Sequence, residues 1–402
     1  MDRLIAQRSA TINGSGIRRV FEIGAGIPPD LKIDLSIGQP DFPVPRPIRD
    51  AAVRAIQEGR NGYPLTRGIP ELRQAIARRL KTDLGWTLST SAKPGAPSEP
   101  GVLVTPGTSA ALLLACQALL NPGDELIVPD PYFVLYPYLA HFAQAKAVFC
   151  STYPDFRLTA ERVERLMTPR TKMVILNSPG NPAGVVNSER ECRDLLDLCR
   201  RRNVVLLSDE IYDEFAFPES RTQTMVGDRA RPVAPSPARL KGAEDCVLLV
   251  RGFGKTYAVT GWRLGYASGP ARIIEEMTKL QQYFYVSSPH PLQWGVVAAF
   301  DVDMSREVAE YQRRRDLVLH RLAPLTEVPL PGGAFYAFVK VPDRYGSGSN
   351  RGENFFQSGV TRNLLIVPGR TFSQRDTHFR LSYATPIEKL ERGLDVLAEM
   401  LA

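Results

Sequence analysis

Short apolar runs alternate with helical patterns from residue 100 onward. The runs have the length of buried strands, and the segments between them repeat apolar residues at helical spacing. A strand that is apolar throughout needs cover on both faces, so the alternation predicts an α/β fold with a mostly parallel central sheet flanked by helices. The apolar runs are VLVT, ELIVP, MVILN, VVLLS and CVLLV, and the helical patterns include SAALLLACQALL, a stretch through YLAHF, and ERECRDLLDLCRR.

The patterns outside this alternation predict a second, smaller α+β domain, and a chain of 402 residues is long enough for both. A helical pattern covers residues 305–322 and is followed by the alternating segments GGAFYAFVKV and HFRLSYA. We expect the amino-terminal segment to join this smaller domain. The predicted division is a large domain at 46–300 and a small domain composed of residues 1–45 and 301–402.

The composition excludes several classes of protein. The chain is 44% hydrophobic and 23% charged, and its net charge is +7. The basic runs at 200–202 and 313–315 lie in helical patterns with acidic residues nearby and no interleaved aromatic residues, so we predict solvated helix faces and no nucleic-acid binding. Neither a signal-peptide core nor 18 consecutive apolar residues occurs, which predicts a soluble cytoplasmic protein without membrane contact.

The cysteines and histidines give no sign of a metal site or of disulfide bonds. The four histidines show no ligand spacing, and no two cysteines form a CxxC pair, so reduced thiols and no metal are expected. Three segments rich in Pro, Gly and Ser, at 89–101, 218–239 and 343–353, predict surface loops. The cysteines are Cys116, Cys150, Cys192, Cys199 and Cys246.

Lys255 follows an apolar strand and a glycine turn in CVLLVRGFGKTYAVTGWRLGY. A strand end holds an amine rigidly, and Arg263, eight positions on, could bind a phosphate beside it. The combination suggests pyridoxal phosphate. A P-loop is the rival interpretation of GFGKT, but Leu249 stands where its first glycine would have to be. A buried strand with an ordinary turn is the remaining alternative.

Asp209 ends the apolar strand of VVLLSDE, where a buried carboxylate needs a cationic partner. A protonated pyridine nitrogen is such a partner, although a helix-capping Asp would also suit the position. Asn181 in NSPGNPAG and Tyr212, three residues beyond Asp209, could both hydrogen-bond the phenolic oxygen of the cofactor. Taken alone, Asn181 is also a common turn residue.

Two further motifs predict binding sites for anions. In TPGTSAALLLACQALL a strand ends at Gly107, Thr108 and Ser109 and opens a helix, so free N–H groups and two hydroxyls suit a phosphate. An ordinary helix N-cap is the alternative. Arg380 lies in the half-apolar strand HFRLSYA, where its planar fork suits a substrate carboxylate unless it is simply a surface arginine.

Several motifs together resemble the class I/II aminotransferases of the pyridoxal phosphate (PLP) fold type I, in family order and over nearly the whole chain. They are SIGQPDFP, GYPLTRGIPELRQAIA, NSPGNPAG, SDEIYDEF, GFGKTYAVTGWRLGY and FRLSYA. The resemblance implies ping-pong transfer of an α-amino group from an L-amino acid to a 2-oxo acid. It implies Lys255 as the Schiff-base lysine, Asp209 at the pyridine nitrogen, Asn181 and Tyr212 at the phenolic oxygen, Phe133 stacked on the ring, and Gly38, Asn181 and Arg380 at the substrate.

The resemblance also implies a homodimer with shared active sites, because the residue matching Tyr63 reaches the phosphate of the neighbouring subunit in such enzymes. Two positions depart from the family pattern. Gly252 replaces a serine that commonly binds phosphate, which predicts somewhat weaker cofactor affinity. Aspartate-specific relatives use an arginine from the segment matching 283–295 or a lysine at Ser109, and this chain has neither.

The segment YFYVSSPHPLQWG therefore favours neutral or aromatic amino donors over dicarboxylates, unless an arginine such as Arg18 or Arg19 enters the pocket from elsewhere. An aspartate-type aminotransferase and a PLP-dependent β-lyase on the same scaffold remain alternatives. An aminotransferase-like sensor is a more remote alternative, because fold alone does not establish function. The residues of the segment that carry this preference are Tyr283, Phe284, Tyr285, His290 and Trp294.

Overall fold

A seven-stranded sheet contains the five strands predicted from residue 100 onward. The computed structural model describes residues 4–88, 101–226 and 229–402. The strands of this sheet are β2 (Gly101–Thr105), β3 (Glu125–Asp130), β4 (Lys146–Ser151), β5 (Thr171–Asn177), β6 (Val205–Asp209), β9 (Val247–Gly252) and β10 (Gly265–Gly269). The remaining strands are β1 (Ile33–Asp34), β7 (Thr222–Val226), β8 (Arg229–Val233), β11 (Tyr336–Lys340), β12 (Leu364–Leu365), β13 (Val367–Pro368) and β14 (His378–Ser382).

Helices cover both faces of the large sheet and pack around the smaller ones. In chain order they are α1 (Gln7–Ala10), α2 (Gly16–Gly24), α3 (Arg46–Gln57), α4 (Pro70–Leu84), α5 (Thr108–Leu119), α6 (Tyr136–Phe142), α7 (Ala160–Glu164), α8 (Glu189–Arg202), α9 (Ala271–Phe284), α10 (His290–Val297), α11 (Ser305–Leu322), α12 (Arg351–Val360) and α13 (Ile387–Leu401). Within the described ranges, no helix is long and apolar enough to cross a membrane.

The large sheet has the strand order β2–β10–β9–β6–β5–β3–β4. Strand β10 pairs antiparallel with both β2 and β9, whereas the pairs from β9 to β4 are parallel. The predicted mostly parallel sheet is therefore confirmed. The sequence patterns missed β4 and β10. Strand β10, GYASG, is rich in small residues and is buried along its whole length, so its position depends on its neighbours rather than on its own apolar character.

Alternate residues of the central strands enter two different hydrophobic cores. In β9, Val247 and Leu249 pack in one core with helices α4 and α8, while Leu248 and Val250 pack in the other with α5 and α9. A strand buried on both faces needs apolar residues at every position. This requirement explains the uninterrupted apolar run that the sequence shows there.

The carboxyl-terminal part of the chain forms a three-stranded antiparallel sheet, β11–β14–β13. Strand β1 from the amino-terminal segment pairs with β12, and Leu35 packs in the same core as these strands. Helix α11 has the bounds predicted for it, 305–322. The division into domains at residues 46 and 300 remains a prediction.

The structure corrects two predictions about the surface. Arg314 and Arg315 are not on a solvated face: both are buried, Arg314 pairing with Asp41 and Arg315 with Glu219. The reason is that α11 turns them inward, where carboxylates pair with their charges.

The loop predicted at 218–239 includes strands β7 and β8 and a buried stretch at 233–238. Most of the loop predicted at 89–101 lies outside the described residues. The five cysteines are free.

Candidate active site

A cavity of about 500 Å³ lies where the carboxyl ends of β5 and β6 meet the amino end of α5. The amino-terminal segment and β14 complete its wall. This edge of a parallel sheet is where ligands bind in open α/β folds. All the predicted site residues except Tyr63 line it, namely Gly38, Gly107, Thr108, Ser109, Phe133, Asn181, Asp209, Tyr212, Lys255, Arg263 and Arg380.

Lys255 lies three residues beyond the end of β9, and its Nζ donates a hydrogen bond to the carbonyl oxygen of Gly38 at 2.6 Å. Burial lowers the pKa of the amine to about 8, and the positive charges of Arg380 and Arg263 contribute to the decrease. Removing an ammonium from water disfavours its charged form. The lowered pKa gives Lys255 a larger uncharged fraction at neutral pH than an ordinary lysine has, and only the uncharged amine is nucleophilic.

Asp209 is 3% exposed at the end of β6. Its Oδ2 accepts a hydrogen bond of 2.8 Å from the hydroxyl of Tyr136, and its Oδ1 accepts one from the N–H of Ile211. Burial raises the pKa of the carboxyl to about 6, and these two hydrogen bonds oppose the increase only in part. Among the described residues, no cation forms a salt bridge with Asp209. Its environment therefore suits a ligand that brings a positive charge.

Two asparagines connect the ends of β5 and β6. Asn177 lies opposite Asp209 in the sheet register, and its Nδ2 donates to the backbone oxygen of Asp209 at 3.0 Å. Its Oδ1 accepts a hydrogen bond of 2.9 Å from the N–H of Asn181. These bonds hold Asn181 at the cavity wall.

Arg380 extends into the cavity from the middle of β14 and is almost completely buried. It donates one hydrogen bond to Oδ1 of Asn181 at 3.0 Å and one to the backbone oxygen of Ser36 at 2.8 Å. Its Nε is buried without a hydrogen-bond partner, and within the described residues it has no carboxylate partner. Burial lowers the pKa of Arg380. A buried guanidinium without an anion suits a carboxylate ligand.

The part of the cavity wall formed by Gly107, Thr108 and Arg263 has the features of an anion site. Gly107 has φ +78°, and a Cβ atom there would lie 2.7 Å from Nη2 of Arg263, so the guanidinium packs directly on this glycine. Arg263 also donates to the backbone oxygen of Thr260. Helix α5 begins at the next residue, Thr108, and its free N–H groups point to the same place.

Gly252 lies beside this anion site. A Cβ atom at Gly252 would come within 2.7 Å of Cδ1 of Ile211 and 2.9 Å of Cγ2 of Thr108. The two side chains therefore occupy the space that a serine would need. The expected weakening of cofactor affinity by Gly252 remains a prediction.

Tyr63 is 89% exposed and lies in a neighbouring groove, which it shares with Arg263, Tyr285 and His290. Of the aromatic and histidine residues at 283–294 that favoured aromatic donors, none lines the cavity within one chain. Trp294 instead lies under the guanidinium of Arg60, 3.7 Å from its ring centroid. The structure therefore does not bring these residues to the site in a single chain.

Three residues at the site were not recognised in the sequence. Tyr136 donates a hydrogen bond to Asp209, Asn177 accepts one from the N–H of Asn181, and the hydroxyl of Tyr336 lies 3.0 Å from that of Tyr212. Asn177 could have been found, because it ends the apolar run MVILN just as Asp209 ends the next run along the chain. Nothing in the sequence around Tyr136 or Tyr336 distinguishes them from core tyrosines.

These observations fit one cofactor. A buried carboxylate without a cation, a lysine of lowered pKa and an anion site at a helix amino end match the ring nitrogen, aldehyde and phosphate of pyridoxal phosphate. Within the described ranges, no group of three His, Cys, Asp or Glu side chains is placed to hold a metal ion. The fold and the cavity together define a PLP-dependent enzyme.

Comparison with known proteins identifies the kind of enzyme. The family model described as aminotransferase class I and II matches residues 30–397, and the chain belongs to this family. It is 32% identical to a probable aspartate aminotransferase of Methanocaldococcus jannaschii, over 99% of this chain and 100% of that protein. It is 31% identical to aromatic-amino-acid aminotransferase 2 of Thermococcus litoralis, over 99% and 98% of the two chains.

A solved structure agrees with these relatives. The aspartate aminotransferase of Thermotoga maritima superposes with a TM-score of 0.87 at 30% identity, covering 99% of this chain and 100% of that one. The protein is a PLP-dependent aminotransferase with the type I fold, as the sequence motifs predicted.

Proposed function

We propose that this aminotransferase moves the α-amino group of a neutral or aromatic L-amino acid to a 2-oxo acid by a ping-pong mechanism. The observation that carries the proposal is the presence, in one cavity, of the amine of Lys255 with its lowered pKa and of the buried guanidinium of Arg380, which has no carboxylate partner among the described residues. One group suits covalent attachment and proton transfer, and the other suits the carboxylate shared by every amino acid and 2-oxo acid.

Pyridoxal phosphate, when bound at this site, supplies an electron-accepting ring conjugated to the substrate Cα. Asp209 holds the ring nitrogen in its protonated form, because a buried carboxylate without another cation binds that positive charge strongly. Tyr212 and Asn181 bind the phenolic oxygen, and Phe133 packs against the ring. Gly107, Thr108, Ser109 and Arg263 hold the phosphate, together with Tyr63 of a second subunit.

Lys255 and Arg380 have different roles toward the substrate: Arg380 binds its carboxylate and Lys255 transfers its proton. Arg380, with Asn181 and Gly38, would bind the α-carboxylate and thereby fix the orientation of the substrate Cα–H bond. The Nζ of Lys255 would take the proton from Cα as a general base and, as a general acid, deliver it to the cofactor carbon that bears the substrate nitrogen. An uncharged amine is required for the first of these steps, and the low pKa of Lys255 makes it available.

The preference for neutral or aromatic donors is supported by the apolar part of the cavity wall. Ile17, Phe21, Ile37, Val134 and Ile211 line it, and Ser109 offers no positive charge for a second carboxylate. Comparing kcat/KM for aspartate, phenylalanine, methionine and alanine tests this proposal. A preference for aspartate over the other three would contradict it.

An aspartate-type activity is the second candidate, because Arg18 also lines the cavity. Its side chain is exposed at the mouth, where it could reach the distal carboxylate of a dicarboxylic substrate. In that case Arg18→Ala would lower kcat/KM for aspartate and leave that for phenylalanine nearly unchanged. Equal effects on the two substrates would count against a distal-carboxylate role for Arg18.

We also infer a homodimer in which Tyr63 of each subunit completes the other subunit's phosphate site. Tyr63 is 89% exposed, and Leu65, Tyr283, Phe284 and Val286 are large hydrophobic residues that are also exposed in the single chain. A contact between two subunits would remove such side chains from water.

A reducing compartment, such as the cytoplasm, is proposed from the five free cysteines.

Absorption spectroscopy tests the reaction as a whole. The purified protein should show a visible band that an amino-acid donor bleaches and that 2-oxoglutarate restores, because each half-reaction changes the state of the cofactor. A protein that shows no such band after addition of pyridoxal phosphate would rule out the proposed site.

A further inference from the structure

Tyr336 lies at the cavity between two residues with proposed roles. Its hydroxyl is 3.0 Å from the hydroxyl of Tyr212, and the guanidinium of Arg380 lies 4.5 Å from the centroid of its ring. Tyr336 is 1% exposed and Tyr212 is 3% exposed. The two hydroxyls are thus held away from bulk water, next to the groups that would bind cofactor and substrate.

The number of hydrogens on this pair determines what it can do. Each phenol has one O–H donor, and one hydrogen bond joins the two oxygens. In the described part of the chain, each hydroxyl has the other as its hydrogen-bond partner, so one of the two hydrogens is left without an acceptor. A buried donor of this kind needs an acceptor, and the cavity that both tyrosines line is where a ligand or water can supply one.

Either hydroxyl of the pair can be the donor of the bond that joins them. Each phenol has one hydrogen, so a Tyr212 that gives its hydrogen to the phenolic oxygen of the cofactor has none left for Tyr336. With Tyr212 in that place, Tyr336 is the donor of the bond and Tyr212 the acceptor.

Close neighbours leave the hydroxyl of Tyr336 little room to move. A Cβ atom at Gly38 would lie 2.6 Å from the Tyr336 oxygen, so the hydroxyl packs directly above this glycine. The carbonyl oxygen of the same glycine accepts the hydrogen bond from Lys255. The Tyr336 ring also packs 4.7 Å from that of Phe335, which limits its movement further.

We propose that Tyr336 is a positioning residue that donates its hydroxyl hydrogen to Tyr212 and so leaves the Tyr212 hydrogen for the phenolic oxygen of the cofactor. The proposal rests on the proposed place of Tyr212 at that oxygen. A phenol that accepts a hydrogen bond becomes a stronger donor through polarisation. Tyr336 therefore stabilises the ionised phenolic oxygen of the cofactor without touching it.

The test is a pH titration of the visible absorption band of the holoenzyme. In Tyr336→Phe the band should titrate about 0.3 pH unit higher than in the wild type, because the donation from Tyr212 weakens by a fraction of one hydrogen bond. Tyr212→Phe should cause a larger rise. The double variant should titrate like Tyr212→Phe alone, because Tyr336 acts only through Tyr212.

A matched control separates this role from a general effect on packing. Tyr383→Phe removes another fully buried hydroxyl, one that donates to the backbone oxygen of Ala334, and should leave the titration unchanged. An unchanged titration in Tyr336→Phe, or the same shift again in the Tyr212→Phe background, would overturn the proposal. A wild-type protein without a visible band would instead refute the proposed place of the cofactor itself.

Discussion

The Nζ of Lys255 and the carbonyl oxygen of Gly38 are joined by a hydrogen bond of 2.6 Å that spans 217 residues of the chain. It connects the lysine after β9 with the amino-terminal segment that follows β1. The bond holds the amine at the cavity wall beside Arg380 and Arg263, whose charges lower its pKa together with burial.

Replacing the lysine should separate cofactor binding from catalysis. Lys255→Ala should lower kcat by at least about 10³-fold, because it removes both the attachment point and the general base, while pyridoxal phosphate still binds non-covalently. Borohydride reduction followed by mass spectrometry should add the cofactor mass to the wild type only. Lys279→Ala, at an exposed lysine paired with Glu276, is the control, and near-wild-type turnover in Lys255→Ala would refute the assignment.

The rate of covalent cofactor attachment should rise with pH and level off above about pH 8. The reason is that only the uncharged amine attacks, and the pKa of Lys255 is lowered to about 8. Arg380→Gln should move this profile to higher pH, because it removes a positive charge that opposes protonation. Stopped-flow absorbance with the cofactor-free protein measures the rate. A profile that stays at the pH expected of an ordinary lysine would contradict the environment described for the amine.

Arg380 should be required for binding the substrate and much less for binding the cofactor. Arg380→Ala should reduce kcat/KM by about 10²-fold or more, since it removes charge-assisted hydrogen bonds to the α-carboxylate. Arg380→Lys should recover only part of the loss, because an ammonium lacks the planar fork. Arg202→Ala, at an exposed arginine paired with Glu164, is the matched control. If Arg380→Lys were as active as the wild type, bidentate binding of the substrate carboxylate by the Arg380 guanidinium would be excluded.

The stability of the cofactor-free protein should depend on Asp209 in a pH-dependent way. Its folded pKa of about 6 exceeds the ordinary 3.8, so the unfolded state releases this proton at lower pH. The free energy of unfolding therefore decreases as the pH rises from about 4 to about 6. Asp209→Asn should be more stable than the wild type above pH 6, by up to about 3 kcal/mol, and the difference should vanish below about pH 4.

Added pyridoxal phosphate should reverse this order, because the ring nitrogen supplies the cation that Asp209 lacks. Thermal unfolding of both proteins with and without cofactor measures both effects. A larger cofactor-induced increase in Tm for Asp209→Asn than for the wild type would show that Asp209 does not face the ring nitrogen.

Tyr63 should contribute to cofactor affinity only in the dimer. Sedimentation velocity should give the mass of two chains, and Tyr63→Phe should weaken cofactor affinity about 3- to 10-fold, as expected for one hydrogen bond to a phosphate. Tyr138→Phe provides a comparison with a tyrosine outside both the groove and the cavity. A monomer with full cofactor affinity would contradict the shared site.

Much of the fold and most of the site were recognisable in the sequence because their signals are local. An apolar run such as that of β9 must be buried on both faces, and a polar residue at its end, such as Asp209 or Lys255, must lie at the sheet edge. Helix α11 was predicted with its observed bounds, since a helical pattern depends only on neighbouring residues. The burial of Arg314 and Arg315 on this helix was not, because it depends on acidic residues elsewhere in the chain.

The sequence by itself determined the α/β class and the cofactor, and it predicted the lysine, the carboxylate and the arginine that line the cavity. Only the tertiary structure decided which side chains meet. It placed Tyr336 against Tyr212, 124 residues away, inserted β10 antiparallel into a sheet of parallel strands, and left Tyr63 outside the cavity of its own chain. Contacts of this kind depend on how distant elements pack, and no local pattern of residues encodes that.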